Sequence, residues 1–410
     1  MNDYKKYDII IMAIFRWDGP YSSTSISLAK AFSKTNRVFY INHPYTYRDY
    51  YNLLKGDDNK KLLEALKRGK PIYKKDDQLS DNFTAVTPPL TLPINFFPKG
   101  SIYNAFAKFN NKKVIDSIRQ TIVDHDIQQY IFINCFDPFF VPTLPKELKP
   151  ALNIYQCVDD ISQSEYLANH GVYLEKKAIE KADLTLTTST ELFRLKSAYT
   201  NNIHLLHNAA DIKGFQQALT ENYPRPKELE NIDTPIIGYI GNLDEVRINY
   251  RLLKKTAEAH PDKTMVLIGP INNTQYKTIG LDQLPNVRFL DKKNVAELPS
   301  YLKYFDCAII PFAYNQLTKS IYPLKINEYL AAGKAVVSTA FSEDIKSFSD
   351  AIFLTETEEA FVSAVGEAVQ SNSEENIQQR TAVAATNTWE ARVEEFWNIV
   401  DVQMRRYAEV

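Results

Sequence analysis

Two residues three apart, Lys325 and Glu328, carry the most chemistry in the chain. They lie in Ile321-Tyr-Pro-Leu-Lys-Ile-Asn-Glu-Tyr-Leu-Ala-Ala-Gly-Lys-Ala-Val-Val-Ser-Thr339. Pro323 suits the first turn of a helix and Gly333 the left-handed residue that ends one, so the segment predicts a helix between them. That helix follows a strand ending at Pro311 and a ten-residue loop, which would turn its N-terminus to the carboxyl end of a sheet. There the backbone N–H groups and the helix dipole favour a phosphate. Lys325 would add a full positive charge one turn in. Glu328 offers a pair of acceptors suited to the two hydroxyls of a ribose. The same two residues also read as an i,i+3 ion pair on an ordinary amphipathic helix.

The elements needed to position them can be read from the surrounding pattern. Short apolar runs at 235–240, 264–268, 287–290, 307–311, 335–339 and 351–354 alternate with helix-like stretches at 250–260, 298–305, 324–332 and 358–370. Near-continuous apolar strands alternating with helices predict a parallel sheet covered on both faces. That is a doubly wound, Rossmann-like domain with its ligand at the carboxyl ends of the strands. The first half repeats the rhythm less cleanly, with strands at 7–15, 37–41, 83–86, 130–134, 152–158, 184–187 and 203–206. Residues 50–113, rich in lysine pairs, prolines and aromatics, read as an insertion, and polar residues 216–234 as a linker. The fold class expected is α/β, with two facing Rossmann-like domains across a deep cleft. The domains would be 1–215 and 235–385, followed by a final segment, 386–410.

Composition narrows the class. The 410 residues hold 48 Lys+Arg and 50 Asp+Glu, with 44% apolar and 24% charged residues, which describes a globular chain rather than a disordered one. No apolar run reaches the roughly 18 residues of a membrane span, and the start lacks the small-residue cleavage site of a secretory signal. Cys135, Cys157 and Cys307 are odd in number and far apart, which argues against a disulfide framework or zinc cluster and for a reducing, cytoplasmic setting. Residues 1–150 carry 22 Lys+Arg against 15 Asp+Glu, a surplus of 7, and the remainder 26 against 35, a deficit of 9. The basic first part points to an anionic partner, and with no recognised motif beside it, nucleic acid is not expected.

The segment 321–339 resembles the donor-site motif of retaining GT-B glycosyltransferases of family four, of the form Pro-Leu-Lys-x-x-Glu-Tyr-x-Ala-x-Gly-x-Pro-Val-Val. Gly238-Tyr-Ile-Gly241 with Leu252-Leu253 resembles that family's first strand and phosphate loop. Pro285-Asn-Val-Arg-Phe-Leu290 with Leu298-Pro299 resembles its nucleobase-side strand. Ala182–Ser189, His207-Asn208-Ala-Ala-Asp211 and Trp389-Glu-Ala-Arg-Val393 continue the likeness in order, the last as a helix crossing back to the first domain. The resemblance implies a nucleotide-diphosphate sugar donor, no cofactor and no metal. It would place Glu328 on the ribose and the backbone of Leu324 and Lys325 on the diphosphate. Gly241, with Asn242 beside it, would let the chain approach the phosphates. Arg247 would give its guanidinium to the departing phosphate, or stand as an exposed charge near a helix start. Lys292 to Asn294 would line the base pocket, or form a solvated loop. Three positions depart from the pattern. Ser320 stands where the family has a second Glu at the donor, Ala335 replaces a Pro, and Asp291 replaces a Gly.

In the first domain, Phe15-Arg-Trp-Asp-Gly-Pro-Tyr-Ser-Ser23 takes the place of the family's acceptor loop, which makes Trp17, Asp18 and Gly19 acceptor candidates. Asp18 could orient an acceptor hydroxyl or cap the following helix. Asp159-Asp160 ends a strand on the cleft side and could bind acceptor hydroxyls or act as a base. Adjacent carboxylates point different ways, so one of the two is expected to face the substrate. His43 follows the second strand at the same end. Lysines interleaved with leucines at 53–75, and Phe96, Phe97, Tyr103, Phe106 and Phe109 beside Lys99 and Lys108, suit an anionic membrane surface or a core helix with solvated lysines. The expected activity is retaining transfer from a UDP- or GDP-sugar to a glycan or lipid-linked acceptor in envelope polysaccharide synthesis. The rivals are a non-catalytic nucleotide-sugar-binding subunit, motivated by Ser320, and an epimerase of the same fold.

Overall fold

The computed structural model describes residues 4–19, 23–56 and 60–408. Pro20, Tyr21 and Ser22 of the expected acceptor loop and residues 57–59 of the lysine-rich stretch lie outside them. The chain forms two compact units, Met1–Leu206 with Val393–Val410, and His207–Arg392.

The first unit is built on β1 (Asp8–Ala13), β2 (Val38–Asn42), β3 (Ile72–Lys74), β4 (Phe83–Thr87), β5 (Tyr130–Cys135), β6 (Leu152–Cys157), β7 (Leu184–Thr187) and β8 (Ile203–Leu205). The sheet order is β3-β4-β2-β1-β5-β6-β7-β8. All its pairs are parallel except β3 with β4. β1, β2, β4 and β5 are buried along their whole length, as a sheet covered on both faces requires. Residues 50–113 are therefore not one insertion. β4 is an inner strand paired to β2, and Ser101–Asp124 is a helix whose Val114 and Ile118 lie in the core. The added material is two short helices, Tyr47–Leu53 and Lys60–Lys67, and β3, packed around Tyr45, Leu66 and Leu90. From Val393 the last helix, Trp389–Ala408, belongs to this unit, where Trp397 stacks on Tyr4 at 4.7 Å and Phe396 meets Phe32 at 4.9 Å.

The second unit contains β9 (Ile236–Ile240), β10 (Thr264–Ile268), β11 (Val287–Leu290), β12 (Cys307–Ile310), β13 (Ala335–Thr339) and β14 (Phe353–Thr355). They lie in the order β11-β10-β9-β12-β13-β14, all parallel. The strand order reverses between β9 and β12, and a doubly wound sheet binds its ligand in the crevice at that point. The expected linker 216–234 is instead part of this unit. Phe215, Ala218, Leu229 and Ile232 lie in its core, and Arg225 donates to the carbonyls of Leu229 and Ile232 at 2.9 and 2.7 Å. The polar residues that suggested a linker are the outer face of the helix Ile212–Thr220 and the turns that follow it.

Candidate functional site

At the carboxyl end of β9 the chain turns through Gly241, with φ +155°. A Cβ there would stand 2.4 Å from Cε and 2.6 Å from Nζ of Lys325. Gly269 ends β10 in the same way, and a Cβ on it would meet the Gly241 carbonyl oxygen at 1.8 Å. Two bare backbones thus lie side by side, and the head of Lys325 occupies the space that a side chain on Gly241 would fill.

The helix Leu324–Ala331 brings Lys325 to this turn. Tyr329, one turn further along, accepts a hydrogen bond from the Ile240 N–H at 2.9 Å and donates to the Ile240 carbonyl at 3.3 Å. The helix is thereby tied to the end of β9. Pro323 gives its first turn no side-chain cap, while the N–H of Leu324 turns back to the Tyr322 carbonyl at 2.9 Å. The Leu324 N–H expected for a diphosphate is therefore occupied, and Lys325 is the stronger phosphate group on this helix. Glu328 sits half-buried behind it. Burial raises its carboxyl above the usual carboxylate range, and the Lys325 ammonium opposes that rise.

Arg247 arrives on the loop after Gly241. Asp244 accepts from the backbone N–H of Val246 and Arg247 at 3.1 and 2.8 Å, and its other oxygen pairs with Arg247 Nη1 at 2.5 Å. One carboxylate shapes the turn and aims the guanidinium. The loop is fastened to the segment after β12, where Ala313 N–H donates to the Arg247 carbonyl at 2.8 Å and Asn315 Nδ2 to the Val246 carbonyl at 2.7 Å. Asn242, Arg247, Leu324 and Lys325 then line one cavity of about 210 Å³, closed by Tyr239, Phe312 and Phe341. Two cations at a strand-order switch can hold an anion and stabilise charge that develops on it.

Gly241 and Glu328 adjoin Lys325 without lining this cavity, and three further candidates also lie outside its lining. Ser320 is buried and donates its hydroxyl to the Gln316 carbonyl at 3.0 Å, which closes a short helix. Lys292 is exposed beyond β11, and the Asn294 N–H donates to Glu297 at 2.9 Å. The neighbouring Lys293 pairs with Glu228.

In the first unit, His43 follows β2 and lines a cavity of about 610 Å³ with Arg16, Arg48, Asp49, Phe96, Tyr103 and Phe140. Its partner, invisible in the sequence, is Asp137, with Nδ1 and Oδ2 2.7 Å apart. Trp17 is packed rather than open: its ring meets Phe83 at 3.9 Å, and its Nε1 donates to Asp76 at 2.8 Å. Asp18 and Gly19 are exposed in a turn closed by Gly19 N–H on the Arg16 carbonyl. Asp18 does not cap the next helix, since Ser23 does so through the Ile26 N–H at 3.3 Å. Asp160 is buried and caps the turn Ile161–Gln163 through Ser162, which leaves Asp159 as the exposed member of the pair.

The aromatic stretch divides as well. Tyr103 is buried against His170, ring on ring at 3.6 Å. Phe96, Ile102, Phe106 and Phe109 stand exposed, with Phe96 72% accessible, beside exposed Lys99 and Lys108. In 60–67 the leucines Leu63 and Leu66 face the core, and Lys60, Lys61 and Lys67 face solvent. Among the described residues no helix is long and apolar enough to cross a membrane.

Comparison with known proteins bears on the fold and on the second unit. Residues 234–371 match the family described as Glycosyl transferases group 1. A Bacillus subtilis (strain 168) protein named "Putative teichuronic acid biosynthesis glycosyltransferase TuaH" is 24% identical over 238 residues, covering 56% of this chain and 59% of the relative. The chain thus aligns with about three fifths of that relative's length. An α,α-trehalose-phosphate synthase (UDP-forming) from Burkholderia vietnamiensis superposes with TM-score 0.68 at 11% identity, over 99% of this chain and 100% of that one. Anabaena Alr3699/HepE in complex with UDP superposes with TM-score 0.60 at 13% identity, over 96% and 100%. At these identities the likeness is one of fold, and that fold is GT-B, with two Rossmann-like α/β units.

Proposed function

We propose that this chain, whose residues 234–371 match the family described as Glycosyl transferases group 1, transfers a sugar from a UDP- or GDP-sugar to a glycan or lipid-linked acceptor. The observation that carries the reading is the convergence of Lys325 and Arg247 on one cavity at the strand-order switch of the second unit, with Gly241 bare beside the head of Lys325. As the glycosidic bond breaks, negative charge grows on the departing diphosphate. Asp244 pairs with Arg247, and Tyr329 ties the helix that carries Lys325 to the end of β9, so both cations start from elements already in place to meet that charge. Glu328, one turn on, is assigned to the ribose hydroxyls. Retention of anomeric configuration and a role in envelope or exopolysaccharide synthesis belong to the same proposal, the latter supported by the name of the Bacillus subtilis relative.

The test is transfer from a panel of UDP- and GDP-sugars to p-nitrophenyl glycosides with EDTA present, followed by NMR of the new anomeric proton. A retained configuration without metal is expected, and an inverted product would remove the retaining assignment. The buried, committed hydroxyl of Ser320 favours a second reading, a subunit that binds nucleotide sugar without turning it over. Donor binding with no transfer to any acceptor, and no change in the donor sugar, would select it.

The exposed Phe96, Ile102, Phe106 and Phe109 beside lysines are assigned to the anionic inner face of a membrane. The chain is expected to sediment with phosphatidylglycerol vesicles, and the Phe96→Ser/Phe106→Ser variant to lose about tenfold or more in that affinity. Equal sedimentation of the two would end that assignment.

A further inference from the structure

We infer that Asp137 is a positioning residue which holds His43 in the tautomer protonated on Nδ1, so that Nε2 accepts a hydrogen bond from an acceptor hydroxyl in the cavity of the first unit. The inference rests on the proposed transfer reaction for its substrate, and on the first unit's own geometry for everything else.

Asp137 is 0% exposed, yet it lies on no strand and no helix. It sits in the loop after β5, where two non-glycine residues, Phe136 and Val141, adopt φ of +59° and +50°. Such conformations cost free energy and persist where the surroundings enforce them, commonly at functional sites. Here the enforcement is visible. Asn134 accepts from the Asp137 N–H at 3.0 Å and donates to the Asp137 carbonyl at 2.9 Å, and Asn111 Oδ1 accepts from the Val141 N–H at 2.5 Å. The strained loop delivers one carboxylate to one place.

The two oxygens of that carboxylate are divided. Oδ1 accepts from the Phe139 N–H at 3.2 Å, and Oδ2 faces His43 Nδ1 at 2.7 Å. A buried carboxylate beside Nδ1 requires a proton on Nδ1, which leaves the Nε2 lone pair as the ring's acceptor. The ring is 25% exposed, braced edge-on by Phe140 at 5.0 Å, and borders the cavity of about 610 Å³. Arg16 locks the backbone beneath it, donating to the carbonyls of His43 and Pro44 at 2.9 and 3.3 Å. A hydroxyl entering the cavity therefore meets an acceptor of fixed direction, and orientation of this kind is worth a large part of a barrier.

Asp137→Asn gives a sharp test, because Phe139 N–H still demands an oxygen. The new amide must then turn its NH₂ towards His43 and force the proton onto Nε2, reversing the ring's polarity without removing an atom from the packing. The chain holds six histidines. With ¹⁵N-histidine labelling, the His43 signals are assigned by their loss in His43→Gln. The native protein is expected to show a protonated Nδ1 and bare Nε2, and Asp137→Asn the reverse. Bare Nδ1 in the native protein, or no change in the variant, overturns the inference. In transfer to p-nitrophenyl glycosides, both variants should lose about a hundredfold in kcat/KM for the acceptor, with UDP affinity by calorimetry within about twofold of native. Native-like transfer by Asp137→Asn would also overturn it. If the native chain neither binds UDP nor transfers, the proposed function fails, and the tautomer measurement still decides the pair.

Discussion

The two units place their chemistry by different means. In the second unit the candidate site is made by the backbone. Gly241 and Gly269 strip the ends of two adjacent strands bare, and two short segments supply the cations Arg247 and Lys325. In the first unit the site is made by side chains from segments far apart in sequence. His43 and Asp137 are 94 residues apart, and residues from 14 to 167 line the cavity. A pocket for a diphosphate can rest on features every sheet of this topology already has, whereas an acceptor pocket needs particular side chains. The account therefore expects substitutions in the second unit to act through the donor, and those in the first through the acceptor or through folding alone.

The largest expected effect is that of Lys325→Ala, which should cut kcat by about 10²–10³-fold, the usual cost of one preorganised partner for developing charge. A loss confined to KM for the acceptor would break the division between the units. Glu328→Gln should weaken UDP binding by about tenfold, through loss of charged acceptors for the ribose hydroxyls. The same change should alter stability with a definite sign. The folded-state pKa of Glu328 is raised by burial, so the stability linked to its proton is fully present below the ordinary carboxylate range and lost as pH rises through the raised value. Glu328→Gln should therefore melt higher than the native chain at neutral pH and gain no advantage under acid conditions. Thermal melts at two pH values check it, and a native chain that melts higher at neutral pH would contradict it.

Asp244→Asn is a finer probe. The amide oxygen can still accept from the Val246 and Arg247 N–H groups, but the charge on Arg247 is no longer neutralised. UDP should bind more tightly while kcat falls by about threefold, as a less fixed guanidinium aims less well. Steady-state kinetics and calorimetry together would show whether the two parameters separate. The smallest functional effect belongs to Asp160→Ala in the first unit. Losing the cap on Ser162 should cost about 1 kcal/mol of stability and leave kcat/KM near native. A large kinetic loss there would restore Asp160 to the acceptor site.

This division also explains what could be read from the sequence. The second unit was legible because its strands are short apolar runs, the first two closed by glycine, and because Lys325 and Glu328 lie together in one contiguous segment, 321–339. Asp244 and Tyr329 went unread although the signals were present, an Asp three residues before Arg247 and a Tyr next to Glu328. The first unit was legible as strands, β4 among them, but the three-residue β3 was not, and the lysines and prolines of 50–113 masked that this span also holds β4 and the start of the core helix Ser101–Asp124. Asp137 was invisible for a physical reason. Its partner is distant in sequence, and its loop is held by Asn134 on β5 and Asn111 on the helix Ser101–Asp124, contacts between separate elements that no spacing in the sequence reveals. Asp160 and Ser320 show the converse. Both residue types could do chemistry, and the fold spends each on closing a local turn or helix.

The most direct test of the donor site is calorimetric titration of the native chain and of Lys325→Ala with UDP, GDP, ADP and TDP, with EDTA present throughout. One diphosphate is expected to bind the native chain without metal, and Lys325→Ala to bind it more weakly. Failure of all four to bind a folded native sample, or equal affinity in Lys325→Ala, would contradict that expectation.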